Sequence, residues 1–212
     1  INSAADDAAG LAIATKMTAQ VRGLDQAGRN ANNATSMLQL ADGAAEQVSN
    51  ILQRMREIVV QAADGSNSVG DVAVLNVEFK EAAEEVDRII DSTEFNGKKL
   101  LDGSAGGSAA DSTVTYQIGA NAGQTLTVDF SDFNLAAGSA TTPMTADLSG
   151  FKTTGMQATI VVDGASASSF DNTLNALDKA IEGVATQRAT FGANMNRLEY
   201  AVDNLASSSL AT

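Results

Sequence analysis

Three stretches of the chain space apolar residues alternately three and four positions apart, which keeps one seam of a helix turned toward a partner helix. The first reads Ala34, Met37, Ala41, Ala44, Val48, Ile51, Met55, Ile58, Ala62. The second reads Val72, Leu75, Phe79, Ala82, Val86, Ile89. Between them Asp64-Gly65-Ser66-Asn67-Ser68 supplies a helix-stopping glycine and capping Ser and Asn, so the two helices are predicted to reverse there as an antiparallel hairpin. The third run is Leu174, Leu177, Ile181, Val184, Arg188, Phe191, Met195, Leu198, Val202, Leu205, with Arg188 as its only polar member. A polar residue at a seam position fixes register at some loss of stability, so Arg188 is read as structural.

Residues 5–33 are Ala-rich with scattered Leu11, Ile13, Met17, Val21 and Leu24, which extends the first helix toward the start of the chain. A helix over about 6–63 would be roughly 85 Å long at 1.5 Å per residue, far beyond an ordinary globular helix. Residues 103–169 differ, being dense in Gly, Ser, Thr and Ala and holding the only proline, Pro143. There Val114–Ile118 and Leu126–Phe130 alternate on either side of Gly119-Ala120-Asn121-Ala122-Gly123 and are predicted to form a β-hairpin, with Met156–Val162 as a third candidate strand. The expected fold is predominantly α with a small β-rich insert: an elongated rod of long antiparallel helices, a coiled-coil-like bundle, plus the hairpin. Residues 1–103 and 170–212 form the helical rod domain, and 104–169 the short variable insert.

Composition narrows the chemistry. With neither Cys nor His, the chain lacks thiolate nucleophiles, disulfides, zinc-thiolate sites and the commonest general base. Thirteen basic residues against twenty-six acidic ones give a net charge of −13, which repels nucleic acid and anionic lipid. No run approaches the roughly 20 apolar residues of a membrane span, and no basic segment followed by an apolar one marks a signal peptide. A chain opening at Ile1-Asn2-Ser3 without Met is expected to be truncated, and the fragment is expected to be monomeric.

Short motifs yield little catalysis. Asn33-Ala34-Thr35 matches an N-glycosylation acceptor but falls within a helical pattern. Glu78, Glu81, Glu84, Glu85 and Asp87 line one helix; they neither face each other across a cleft as glycosidase carboxylates do nor alternate around a glycine as calcium-loop ligands do, so they read as a solvated face. No enzyme activity and no cofactor are expected. Gln53-Arg54-Met55-Arg56-Glu57 puts two arginines on the flanks of the first helix, a composition suited to a partner surface as well as to solvent. Ile58 shares the Arg54 face at i+4 and also falls on the seam.

Three longer segments carry a family resemblance. Ile1-Asn2-Ser3-Ala4-Ala5-Asp6-Asp7-Ala8-Ala9-Gly10-Leu11-Ala12-Ile13 resembles the signature at which bacterial flagellins enter their long helix. Leu52-Gln53-Arg54-Met55-Arg56-Glu57-Ile58-Val59-Val60-Gln61 resembles their second signature, and Phe95-Asn96-Gly97-Lys98-Lys99-Leu100-Leu101-Asp102-Gly103 their turn into a β-region. Gln187-Arg188-Ala189 and Asn196-Arg197-Leu198 resemble the returning C-terminal helix.

The resemblance implies an extracellular, secreted subunit of the flagellar filament, polymerising with other flagellin subunits when the extreme terminal segments are present and served by a flagellar export chaperone and cap. It also implies recognition of the monomer by Toll-like receptor 5 through the second signature and the helix after it. The family's Arg, Leu and Glu contacts fall on Arg54, Ile58 and Glu78, with Gln53, Arg56, Glu57 and Gln61 around them. Ile58 replaces Leu at similar volume and is expected to be partly exposed. A hook–filament junction protein shares the helical plan, and a flagellin-like surface binder of polysaccharide is a further reading, though the insert lacks stacked aromatics. A metallopeptidase insert is excluded by the absence of His.

Overall fold

The computed structural model describes residues 7–107, 111–130 and 167–211. Helix α1 spans Ala8–Ala62 and α2 Val69–Ser92; short strands β1, Glu94–Phe95, and β2, Lys98–Lys99, follow. Strands β3, Thr113–Gln117, and β4, Thr125–Asp129, precede α3, Ala167–Ala211. The fold is predominantly helical with two small antiparallel sheets. The candidate strand Met156–Val162 lies outside the described residues.

Local chemistry fixes the helix ends. Asp7 caps α1 by accepting from the backbone N–H groups of Ala9 and Gly10 at 3.1 and 2.8 Å. At the other end, the Asn67 side-chain amide donates to the Gln61 carbonyl at 2.6 Å, satisfying one of the acceptors a helix end leaves free. Ser68 opens α2 with a capping box: its hydroxyl oxygen accepts from Asp71 N–H, and the Asp71 carboxylate accepts from Ser68 N–H at 2.9 Å. These bonds to Ser68, through its hydroxyl first and its backbone second, hold the Asp71 carboxyl below its ordinary pKa. After α2, Asn96 and Gly97 take φ of 52° and 75°, the two positive values a type I′ turn demands, and pair Glu94 with Lys99 and Phe95 with Lys98.

The chain divides into two compact units. One comprises Leu40–Thr113 and Asp129–Phe191. In it, Arg54 meets Glu78, Arg56 meets Asp178, and Arg188 meets Asp42 and Glu46, so α2 and α3 both run antiparallel to α1. The buried line of α1 here is Ala41, Ala45, Val48, Leu52, Met55, Val59 and Ala62, spaced alternately four and three apart, with Ile58 buried beside it. Four of these seven positions, Ala41, Val48, Met55 and Ala62, are the expected ones; at two others the deepest residue is the next along, Ala45 for Ala44 and Leu52 for Ile51, while Val59 is buried together with the expected Ile58. On α2, Ala83 and Ile90 likewise lie deeper than Ala82 and Ile89. On α3 the buried line is Leu177, Ala180, Val184, Gln187 and Phe191.

The expected seam place of Arg188 is therefore corrected. Gln187 occupies the seam, fully buried, and Arg188 sits on its flank, donating to Asp42 at 2.8 Å and to Glu46 at 3.3 Å. Seam residues matter more for stability than such bridges. A fully buried Leu, Ile or Phe contributes about 1.5–3 kcal/mol relative to exposure, whereas a partly exposed ion pair contributes about 0–1 kcal/mol. The Phe130 and Phe191 rings pack at a centroid distance of 5.3 Å, tying the end of β4 to α3.

The other unit comprises Ile1–Gln39, Val114–Val128 and Gly192–Thr212. Here α1 buries Ala27, Ala31, Ala34 and Leu38, and Leu24, Ala27 and Leu205 form a cluster on which Ala120 packs. Across the β3–β4 hairpin the two threonine hydroxyls of Thr115 and Thr127 lie 3.1 Å apart, and Ile118 N–H donates to the Gln124 carbonyl at 2.9 Å. The hairpin tip lies against α1 because residue 23 is glycine: a Cβ there would stand 3.0 Å from Ala120 Cβ. Asn30 donates its amide to the Gln117 carbonyl, and the Tyr116 hydroxyl donates to Met37 sulfur at 2.8 Å. Burial pushes the Tyr116 phenol up to about 12.

Candidate interaction surface

The residues singled out on α1 distribute by helical geometry around the buried Met55, each position turning about 100° from the last. Arg54 and Gln61 fall on the side facing α2, Arg56 on the side facing α3, and Gln53 and Glu57 on the outer face. All five are exposed. Arg54 is bidentate toward one oxygen of Glu78: Nε donates at 2.9 Å and Nη2 at 2.6 Å, while Nη1 donates to Glu57 at 3.1 Å. The hydrogen bond to Glu78, then that to Glu57, raises the Arg54 pKa above its ordinary value. With side chains about half exposed, 52% for Arg54 and 47% for Glu78, the pair bridges α1 and α2 while both groups remain in contact with solvent.

Arg56 is directed elsewhere. Its guanidinium donates to Asp178 on α3 at 2.6 Å, so the two arginines adjacent to Met55 serve different helix pairs. Gln53 reaches back to the Ser49 hydroxyl at 3.4 Å. The expected partial exposure of Ile58 is corrected: it is 0% exposed. Between Met55 and Arg54 in angular position, it lies where α2 closes over α1, so the seam reading of Ile58 holds and the surface reading does not. The structure thus brings Arg54, Glu57 and Glu78 into one contact group, with Gln61 on the same side. It leaves Arg56 on the other flank and Ile58 underneath.

The remaining motifs resolve in physical terms. Asn33 is exposed on α1, but the Thr35 hydroxyl is engaged with the Ala31 carbonyl one turn back. On α2, Glu84 faces Lys80 and Glu85 faces Arg88, ion pairs of a solvated face. Among the described residues no group of acidic side chains is arranged to hold a metal ion, and no helix is long and apolar enough to cross a membrane.

Residues 1–106 match the family model described as the bacterial flagellin N-terminal helical region. The chain belongs to the bacterial flagellin family. The flagellin of Halalkalibacterium halodurans is 41% identical over 209 residues, covering 99% of this chain and 68% of that protein. The crystal structure of Bacillus cereus flagellin superposes with a TM-score of 0.62 at 30% identity, covering 84% of this chain and 88% of that one. A protein described as flagellar hook-associated, from Vibrio parahaemolyticus, superposes with a TM-score of 0.73 at 17% identity, covering 98% of this chain and 96% of that one. That last likeness shows a common fold alone. Flagellins are structural proteins, and this chain is a structural subunit of the bacterial flagellar filament.

Proposed function

We propose that the chain acts outside the cell as a self-assembling filament subunit for motility, and that its α1–α2 face is also a recognition surface for Toll-like receptor 5 on unassembled monomers. The observation that carries the second part is the half-exposed Arg54–Glu78 pair, which presents a guanidinium and a carboxylate, with Glu57 and Gln61 nearby, on a rigid two-helix platform. Interfaces favour such preorganised arginines. Arg56 and Gln53 border this surface, and Ile58 supports it from beneath.

The seams of residues 1–103 and 170–212 are the packing portion, read as coiled coil, and 104–169 is a variable insert. Secretion through an export chaperone and growth under a filament cap accord with this reading. A hook–filament junction role is the runner-up; the 41% identity to a flagellin favours the filament.

Surface plasmon resonance against the receptor ectodomain tests the recognition surface. Binding is expected, and Arg54→Ala or Glu78→Ala should weaken it at least tenfold while circular dichroism stays unchanged. Absence of binding by the folded chain would return these residues to filament contacts or plain helix surface. Assembly is tested separately by expressing the sequence within a full-length flagellin in cells lacking their own; failure to form filaments visible by electron microscopy would remove the assembly reading.

A further inference from the structure

We propose that Asn96 is a site of spontaneous covalent modification, converting through a succinimide to aspartate and isoaspartate while the protein is folded. The reaction requires the backbone nitrogen of the next residue to attack the asparagine side-chain carbonyl carbon. A new N–C bond closes a five-membered ring and ammonia leaves, carrying the amide nitrogen. Water then adds to one of the two ring carbonyls. Opening on one side gives aspartate, and opening on the other gives isoaspartate, in which the main chain runs through the former side-chain methylene.

Two things ordinarily obstruct ring closure: a side chain on the following residue, and a hydrogen bond occupying its N–H. Residue 97 is glycine, with φ of 75° and no atom within 4 Å of where a Cβ would stand. As the two central residues of a type I′ turn, Asn96 and Gly97 lie outside the ladder that pairs Phe95 with Lys98. Both are exposed, and the Asn96 side chain makes no hydrogen bond among the described residues.

The other asparagines among the described residues are obstructed. At Asn67-Ser68 the Asn67 amide donates to Gln61 and the Ser68 N–H donates to Asp71 at 2.9 Å, so both reacting groups are engaged. The asparagines inside α1, α2 and α3 are followed by amides committed to the helical ladder. In the loop after β3, Asn121 precedes Ala122, which carries a Cβ.

The product alters the hairpin. Isoaspartate lengthens a two-residue connection whose geometry depends on its length, and either product places a carboxylate next to Lys98 and Lys99, whose ammonium at position 99 lies 3.5 Å from Asp91.

The test holds the chain folded at mildly alkaline pH and follows tryptic peptides by mass spectrometry, with an isoaspartyl methyltransferase assay on the Ile89–Lys98 peptide. Amide loss and methyl acceptance are expected in that peptide before the Asn67 peptide changes, and Asn96→Gln should abolish both. A parallel incubation in denaturant controls for fold. Conversion at Asn96 in denaturant but not in the folded chain would overturn the proposal, as would equal conversion at Asn67 and Asn96 in the folded chain.

Discussion

Gln187 donates its side-chain amide to the Asp129 carbonyl at 3.1 Å, while its own carbonyl oxygen, fully buried, has no hydrogen-bond partner among the described residues. Half of the amide is thus satisfied and half adds a desolvation cost. Gln187→Met, which keeps volume and removes both halves, is expected to change stability by less than about 1.5 kcal/mol. Gln187→Glu places a carboxylate against a carbonyl oxygen and is expected to destabilise by about 3 kcal/mol or more near neutral pH. Urea unfolding of both variants checks the contrast; equal effects would mean the buried amide is not what the site responds to.

One position along, Arg188 faces Asp42 and Glu46 with about a third of its side chain exposed. Its pKa is raised chiefly by the hydrogen bond to Asp42, yet solvent screening limits what this contributes. A double-mutant cycle of Arg188→Ala with Asp42→Ala is expected to give a coupling of about 0.5–1 kcal/mol, falling in high salt. A coupling of several kcal/mol would show the bridge to be a principal clamp between α1 and α3.

Tyr116 gives the fold a signature at high pH. Its phenol is pushed up to about 12 by burial, against an ordinary value of 10.0. The unfolded chain therefore releases this proton first as pH rises. Stability from the neutral phenol is complete below about pH 10 and is lost progressively as pH climbs through the folded value. Tyr116→Phe should remove that part of the slope in denaturant titrations across the same range; an unchanged slope would locate the effect elsewhere.

At the start of α2 the sign is opposite. The Asp71 pKa is lowered by Ser68, so the capping contribution is present above the unfolded carboxylate value and lost as pH falls through the lower folded one. Ser68→Ala should cost about 1 kcal/mol near neutral pH and show a weaker acid-side slope than the unmodified chain. Parallel slopes in thermal melts between mildly acidic and strongly acidic pH would contradict the assignment.

Ile58 and Arg54 are separable by stability. Ile58→Ala opens a cavity beneath α2 and should cost about 2–5 kcal/mol, whereas Arg54→Ala removes a solvent-screened pair and should leave the unfolding midpoint nearly unchanged. Chemical denaturation of the two variants distinguishes them. Similar midpoints would contradict the burial of Ile58.

What the sequence discloses follows from how distinct its signals are. The Ser68 cap and the break at Asp64–Ser68 rest on residue types with narrow conformational preferences, and each appears where the sequence puts it; the turn at Asn96-Gly97, which the family resemblance implies, appears as well. The phase of the seams does not, because α1 presents adjacent apolar pairs, Met37 with Leu38, Ala44 with Ala45, Ile51 with Leu52 and Ile58 with Val59. Either member of each pair satisfies a three-four alternation; the packing of the neighbouring helices favours Ala45 over Ala44 and Leu52 over Ile51, and buries both members of the other two pairs. On α3 the choice went to Ala180 and Gln187 over Ile181 and Arg188, because a small residue and an uncharged amide fit a close helix contact that a guanidinium cannot enter without its partners. Of the candidate surface, Arg54 and Glu78 could be placed on matching helices from sequence alone. That Arg56 belongs with Asp178, 122 residues away, could not, since nothing local specifies that pairing.

The buried line from Ala41 to Ala62 returns to the same phase after each seven residues, three times over. A straight helix of 3.6 residues per turn would rotate such a line by about 20° per repeat, or about 60° by the last. Keeping it buried requires the backbone to wind gently left-handed against its neighbours, so handedness is written into the arithmetic of the repeat, and inserting a single residue near Val48 would swing the groups beyond it, Arg54 among them, onto the wrong bearing.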